Sequence, residues 1–289
     1  MKNDVFVSDL YRSKKNVLSF ETFPPKNAEG IAHLIEHLKK LEKYCPDFIS
    51  VTYGAGGSTH ETSLQVLEQI AQNLDAALVA HFTCVGTTEA TIQDFVRRLE
   101  ALKIKNILAL RGDAPQNQVG FDFSKGVFRH ASELVAYLKK TTSLGITVAG
   151  YPEGHTESLS REKDWDYLKE KADAGAEVVI TQLFFDNTDF FQFRDGMHKR
   201  GVTLPLVPGI LPVSSLERLH KIVNLSGSKI SKGFQTILDR YSNDPEGFRK
   251  ASIQYSQNQI RELLQNSVPG IHYYILNRSE IVSEVLDNL

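Results

Sequence analysis

Glu21, Asp113 and Gln182 are the side chains on which any chemistry in this sequence must turn, because each interrupts or directly follows an apolar run where a polar group is costly. Glu21 lies in VLSFETFPP (17–25). A carboxyl enclosed by apolar neighbours has its pKa raised, so Glu21 is expected to hold a proton at neutral pH and act as a general acid; the plainer reading is a salt-bridged glutamate. Asp113 follows Arg111 and Gly112 in LRGDAP (110–115), where it can pair with the arginine or turn its charge into a pocket. Gln182, inside VVITQLFF (178–185), must find hydrogen-bond partners. They are either neighbouring backbone groups or the donor–acceptor edge of a heterocycle such as a pterin.

Other groups stand at comparable places. His81 sits in an apolar run, where a lone histidine is more often a satisfied core residue than a ligand. TYGAGGST (52–59) contains glycines that either make a tight turn or let the backbone approach a ligand. YPEGH (151–155) ends a further run, and Arg278 offers a fork for a carboxylate or is a surface charge. Certain chemistries are disfavoured. No lysine stands at the end of an apolar run to form a Schiff base. There is no HxH after the first run and no HExxH to ligate zinc. An acid, an Asp, an amide, aromatics and histidines without metal or nucleophile suit redox chemistry by a bound organic cofactor, with the protein supplying proton, orientation and field.

The elements that must position these groups repeat one pattern: a short β-branched run, a turn, then a helical period. The pattern predicts strands at 17–23, 48–54, 77–85, 106–112, 146–151, 178–185, 204–211 and 271–276. Between them, Ile31, Leu34, Ile35, Leu38 and Leu41 share one helical face, as do Ile92, Phe95, Leu99 and Leu102. Ser214 with Glu217, and Asn277 with Glu280, resemble capping boxes. Eight strands alternating with helices predict an α/β fold, a (β/α)8 TIM barrel, with an extra helical insertion at 229–268 before the eighth strand. The catalytic groups then belong at the carboxyl ends of the strands. Period-two alternation predicts that Ser19, Glu21 and Phe23 share one face. No composition break divides residues 1–289, so a single domain is expected.

The bulk numbers narrow the partners. A formal charge of −2 with interspersed signs and no basic tract argues against nucleic acid and membrane surfaces. Cys45 and Cys84 are the only cysteines, far apart, which points to a reducing compartment and no disulfide framework. The first residues, MKNDVFVSDLYRSKK, lack the apolar core of a signal peptide, so a cytoplasmic location is expected.

Taken in order, SFETFPPK, SVTYGAGGST, ALRGDAP, AGYPEGH, ITQLFFD, PGILPV and LNRSE closely resemble methylenetetrahydrofolate reductase, over about residues 17–285. The resemblance implies an FAD-binding barrel that reduces 5,10-methylenetetrahydrofolate to 5-methyltetrahydrofolate with NADH or NADPH, supplying methyl groups for methionine synthesis. It makes Glu21 the acid that helps open the five-membered ring of the substrate. It sets Asp113 near both flavin and pterin, and makes Gln182 and Arg278 folate contacts and Thr52 a contact of the nicotinamide donor. Tyr53, His81, Arg111, Gly112, Ala131, Tyr151, His155, Asp164 and Lys171 fall on its FAD-contact positions. One pocket serving two substrates in turn implies ping-pong kinetics. Ile222 stands where some bacterial relatives carry a stacking Phe, Arg218 where some carry a Gln, and Thr22 where an aromatic often follows the acid. The chain stops after the eighth helix, so no S-adenosylmethionine feedback domain is expected; a homo-oligomer is. Two other readings compete: a proline dehydrogenase-like flavin barrel, which would cluster arginines near the eighth strand, where only Arg278 stands, and a barrel that binds folate or a nucleotide without turnover.

Overall fold

Apolar runs with no polar face can satisfy their backbone and bury both sides only as parallel strands enclosed by helices, and the chain folds that way. In the computed structural model, which describes residues 4–53, 60–113 and 126–289, the strands are β1 (Val17–Thr22), β2 (Phe48–Val51), β3 (Ala77–Thr83), β4 (Asn106–Leu110), β5 (Gly145–Gly150), β6 (Val178–Thr181), β7 (Leu206–Val207), β8 (Gly209–Ile210) and β9 (Gly270–Tyr274). They pair in parallel in the order β7-β6-β5-β4-β3-β2-β1-β9-β8.

The seventh strand expected at 204–211 is two pieces, for a physical reason. Pro208 has no N–H to continue the ladder. Before it, Leu206–Val207 pairs with β6; after it, Gly209–Ile210 pairs with β9. The Pro208 carbonyl accepts from His272 N at 3.0 Å, and Gly209 N donates to Thr181 Oγ1 at 3.0 Å. One segment thus changes partner at the proline and draws the two sheet edges together into a nearly closed TIM-like barrel.

Side chains alternate across the strands. Val17, Phe48, Ala77, Val79, Leu108, Val178, Ile180 and Val207 fill the interior, joined by Val7. Val7 opens α1 (Val7–Ser13), a helix the sequence pattern does not predict, and its N–H donates to Asn106 Oδ1 at 2.8 Å. The opposite parity, including Phe20, Ile49, Leu78, Phe82, Ile107 and Val148, packs against the helical layer.

That layer is α2 (Ala28–Leu41), α3 (His60–Asn73), α4 (Glu89–Ala101), α5 (Ala131–Thr141), α6 (Arg161–Asp173), α7 (Asn187–Lys199), α8 (Leu216–Ser226) and α11 (Glu280–Leu286). The predicted stripes are buried: Leu34, Ile35, Leu38 and Leu41 in α2, and Ile92, Phe95 and Leu99 in α4, with Ile31 and Leu102 partly so. The two expected capping boxes do not form. Ser215, one residue later, caps α8 by accepting from Arg218 N, while Ser214 Oγ accepts from Arg218 Nη1 at 3.1 Å. Asn277 instead clasps the backbone of Phe23, accepting from its N–H at 2.9 Å and donating to its carbonyl at 2.7 Å. This ties the exits of the first and last strands together. The insertion forms α9 (Lys232–Arg240) and α10 (Pro245–Gln265), whose Phe234, Leu238 and Phe248 make a separate apolar cluster with Leu183, Phe185, Leu211, Val213 and Leu219 past β6 and β8.

Candidate functional site

The carboxyl ends of the strands converge on a cavity of about 360 Å³ lined by Glu21, Thr52, Tyr53, His81, Tyr151, Gln182 and Tyr274, with Leu108, Leu110, Ile180, Leu183, Leu211 and Ile222 among its aliphatic walls. Strand parity explains Glu21: Phe20 and Thr22 are buried away from the interior, while Ser19 and Glu21 point inward. Phe23 does not join them; past the strand end it is 43% exposed.

Glu21 does not sit alone in apolar surroundings. Its Oε2 lies 3.4 Å from His81 Nε2 and 3.5 Å from His272 Nε2. His272 is fully buried, and its Nδ1 is 2.7 Å from Ser19 Oγ. Burial pushes the Glu21 carboxyl up, but His81, His272 and Ser50 outweigh it and hold the group below its usual range. The expected rise is therefore corrected: the neighbours facing the carboxyl are imidazoles rather than hydrocarbon. Burial pushes His81 down, against the pull of Glu21. Tyr274, whose register partner is Glu21, donates its hydroxyl to the Thr181 carbonyl at 2.7 Å. The result is an ionised carboxylate between two buried imidazoles at the cavity wall.

Leu110, Ala149 and Tyr151 are shared with a second cleft, of about 350 Å³, on the side of the mouth. Arg111, Gly112, Asp113, Ala131, Tyr151, His155, Asp164 and Lys171 all line it. Gly112 is required there, because at φ +88° an added Cβ would sit 2.8 Å from Thr83 Cβ. Lys171 Nζ donates to the Ala149 carbonyl at 2.6 Å, and burial pushes its pKa down to about 8. Burial pushes the Asp164 carboxyl up, although Lys171 and a 3.2 Å bond from Ser158 Oγ oppose it. Arg111 pairs with Glu157 at 2.6 Å. The first residues of α5, Ala131 and Ser132, border the same cleft.

The remaining candidates separate. Asp113 is exposed and lines the side cleft, not the wall that carries Glu21. Gln182 lines the mouth; its Oε1 accepts from Leu183 N at 2.9 Å, so its NH2 is the end offered to a ligand. Tyr53 packs its ring 5.2 Å from Phe82 and 5.9 Å from Phe95, and burial pushes its hydroxyl to about 12. Arg278 is exposed on the turn after β9 and is not among the wall residues. Gly54–Thr59 and Ala114–Pro115 lie outside the described residues. His272 and Tyr274 escape a reading by motif. Barrel closure could have found them, because it makes the first and last strands neighbours and aligns Ser19 with His272. Among the described residues, no group of three or more His, Cys, Asp or Glu could hold a metal ion, and no helix is long and apolar enough to cross a membrane.

Comparison with known proteins places the chain in a family. The family model described as methylenetetrahydrofolate reductase matches residues 7–289. A Pectobacterium carotovorum 5,10-methylenetetrahydrofolate reductase is 33% identical over 264 residues, covering 91% of this chain and 87% of that protein. Methylenetetrahydrofolate reductase (NADH) 1 of Zea mays is 32% identical over 286 residues, covering 95% of this chain; the chain spans about half of that longer protein, 48%. In fold, a Clostridium thermocellum protein that binds two copies of 5-methyl-5,6,7,8-tetrahydrofolic acid superposes with a TM-score of 0.65 at 13% identity, covering 98% of this chain and 97% of that one. With a family model matched over nearly its whole length, on the barrel whose strand ends carry Glu21, Gln182 and the side cleft, the chain belongs to the methylenetetrahydrofolate reductase family.

Proposed function

We propose that the chain is a flavin-dependent oxidoreductase that reduces 5,10-methylenetetrahydrofolate to 5-methyltetrahydrofolate with NADH or NADPH, by a ping-pong sequence. The observation that carries this is Glu21, held between His81 and His272 at the wall of an aliphatic slot that continues into a polar cleft. The residues present fit FAD. Leu108, Leu110 and Ile180 make apolar walls suited to a ring system. Arg111, Lys171 and the first turn of α5 supply cations and N–H groups suited to a diphosphate. Asp164 and His155 suit ribose hydroxyls. FAD held there supplies two-electron transfer between nicotinamide and folate.

The chain's own residues do the rest. Glu21 delivers a proton to the departing ring nitrogen of the folate, and the C–N bond breaks. Gln182 donates its NH2 to the pterin, and the aliphatic walls exclude water. Asp113, on the rim of the side cleft, biases the field in favour of the cation that develops on the substrate. Thr52 contacts the nicotinamide, and Arg278 reaches the folate from the turn after β9. Both substrates must meet the same ring system at this one slot, which supports their using it in turn. The Zea mays relative's name specifies NADH, which favours NADH here.

The test is stopped-flow mixing of the purified yellow protein with NADH, NADPH or proline, followed by reoxidation with methylenetetrahydrofolate. Bleaching by a nicotinamide and recovery by the folate are expected. Bleaching by proline alone, or a protein that takes up no flavin, would overturn the reading.

A further inference from the structure

Mouth chemistry needs Glu21 to receive a proton, yet the carboxyl is held in its ionised form by its surroundings. Two imidazoles are near enough to provide one, and their settings differ. His81 Nε2, 3.4 Å from Glu21 Oε2, is buried without a well-aligned hydrogen bond. His272 is fixed at every edge. Phe48 stacks on it at 5.8 Å and 19°, and Tyr274 meets it edge-on at 5.4 Å and 87°. Ser19 Oγ engages Nδ1 at 2.7 Å, and the remaining nitrogen, Nε2, is aimed at Glu21 Oε2 from 3.5 Å. Catalytic hydrogen bonds are often this long before substrate arrives. The pairing is built into the barrel, since Ser19 and His272 are register partners on adjacent strands.

We propose that His272 is the positioning partner of Glu21 and the store of the proton that Glu21 delivers, with Ser19 holding the imidazole in place. This rests on the proposed function of the same site. The step balances. The N–H bond at His272 Nε2 breaks as an O–H bond forms at Glu21 Oε2, and Glu21 passes that proton to the substrate nitrogen. The imidazole is left neutral, with its proton on Nδ1 donated to Ser19 Oγ. Solvent restores the lost proton through the mouth after product leaves. The groups that face Glu21 are Ser50 on β2, His81 on β3, and His272 and Tyr274 on β9, with Tyr151 beyond Tyr274. Among them His272 alone joins a second anchored hydrogen bond to an open path toward the carboxylate.

The experiment is infrared titration of Glu21 in the full chain without substrates, its carboxyl band assigned by its loss in Glu21→Gln. His272→Gln, which keeps a donor but cannot carry a cation, is expected to raise the midpoint of Glu21 protonation by at least one pH unit, a tenfold change. Ser19→Ala should move it the same way by a smaller amount, about threefold. In the flavin-loaded protein, the folate half-reaction of His272→Gln should slow at least tenfold with its pH profile displaced, while flavin reduction by NADH stays within about twofold. A merely structural His272 would lower both half-reactions and leave the Glu21 midpoint where it was, and that result overturns the proposal. If His272→Gln does not fold, an unmoved midpoint in Ser19→Ala overturns it equally. The infrared arm needs no folate, so a displaced midpoint in a protein that does not turn over folate would refute the function while leaving the relay intact.

Discussion

Closing the barrel at Gly209 leaves no room for a side chain, and Gly209→Ala tests how far the site depends on that seam. An added Cβ would lie 2.2 Å from the Thr181 carbonyl oxygen, 2.6 Å from the Tyr274 ring and 2.8 Å from its hydroxyl. None of these is the far end of a flexible chain. The carbonyl belongs to β6, and Tyr274 is anchored to that same oxygen at 2.7 Å. Overpacking of this kind costs about 1–3 kcal/mol. Breaking the Tyr274–Thr181 hydrogen bond adds about 1 kcal/mol, for a total of about 2–4 kcal/mol. At about 2–4 °C per kcal/mol, the scale for chains somewhat shorter than this one, Tm should fall by roughly 4–16 °C. Calorimetry of the wild type, Gly209→Ala and Gly233→Ala gives the comparison. Gly233 lies inside α9 with its nearest neighbour at 3.5 Å, so alanine there should be neutral or stabilise by up to about 1 kcal/mol. Folate turnover should fall with Gly209→Ala, because Tyr274 and Gln182 border the same cavity. A Tm within about 2 °C of wild type would refute the reasoning.

Other outcomes follow from the same structure. Val7→Ala removes two carbons from the plug of the barrel interior, and chemical denaturation should show a loss of about 1.5–3 kcal/mol. Lys171 has its pKa lowered from 10.5 to about 8, so the folded state resists its charge below pH 8. Between pH 8 and 10.5 the unfolded chain binds the extra proton, and wild-type stability should rise with pH. Urea midpoints at pH 7, 8 and 9 should show that rise in wild type and its absence in Lys171→Met. Ile222→Phe returns an aromatic to the cavity wall, and stacking worth ~0.5–1.5 kcal/mol should lower the folate KM by about two- to tenfold in steady-state assays.

Much of this was legible in the residues. Strand runs and helical stripes depend on local patterning: β1 and β3 end within two residues of expectation, and the expected stripes of α2 and α4 face the core. Eight positions that the family resemblance implies near a flavin, from Arg111 to Lys171, line one cleft because each stands at a strand exit or in the loop or helix that follows. What was not legible is non-local. Pro208 splits a strand only because two different neighbours wait on either side of it. Asn277 looked like a cap, but its backbone is left-handed at φ +58° and its amide finds Phe23, 254 positions away. The direction of the Glu21 pKa depends on His81 and on His272, the latter 251 positions distant and unremarkable in its own run. α1 is too short for its amphipathic pattern to stand out, and it is held by Asn106 on a distant strand.

The most direct test of the account is Glu21→Gln, followed through each half-reaction by stopped-flow absorbance. Flavin reduction by NADH should stay within about twofold of wild type, since it draws no proton from the carboxyl. Reoxidation by methylenetetrahydrofolate should slow by a factor of about 10² or more, the range of a lost general acid. Equal losses in both halves, or an undiminished folate step, would contradict the role given to Glu21.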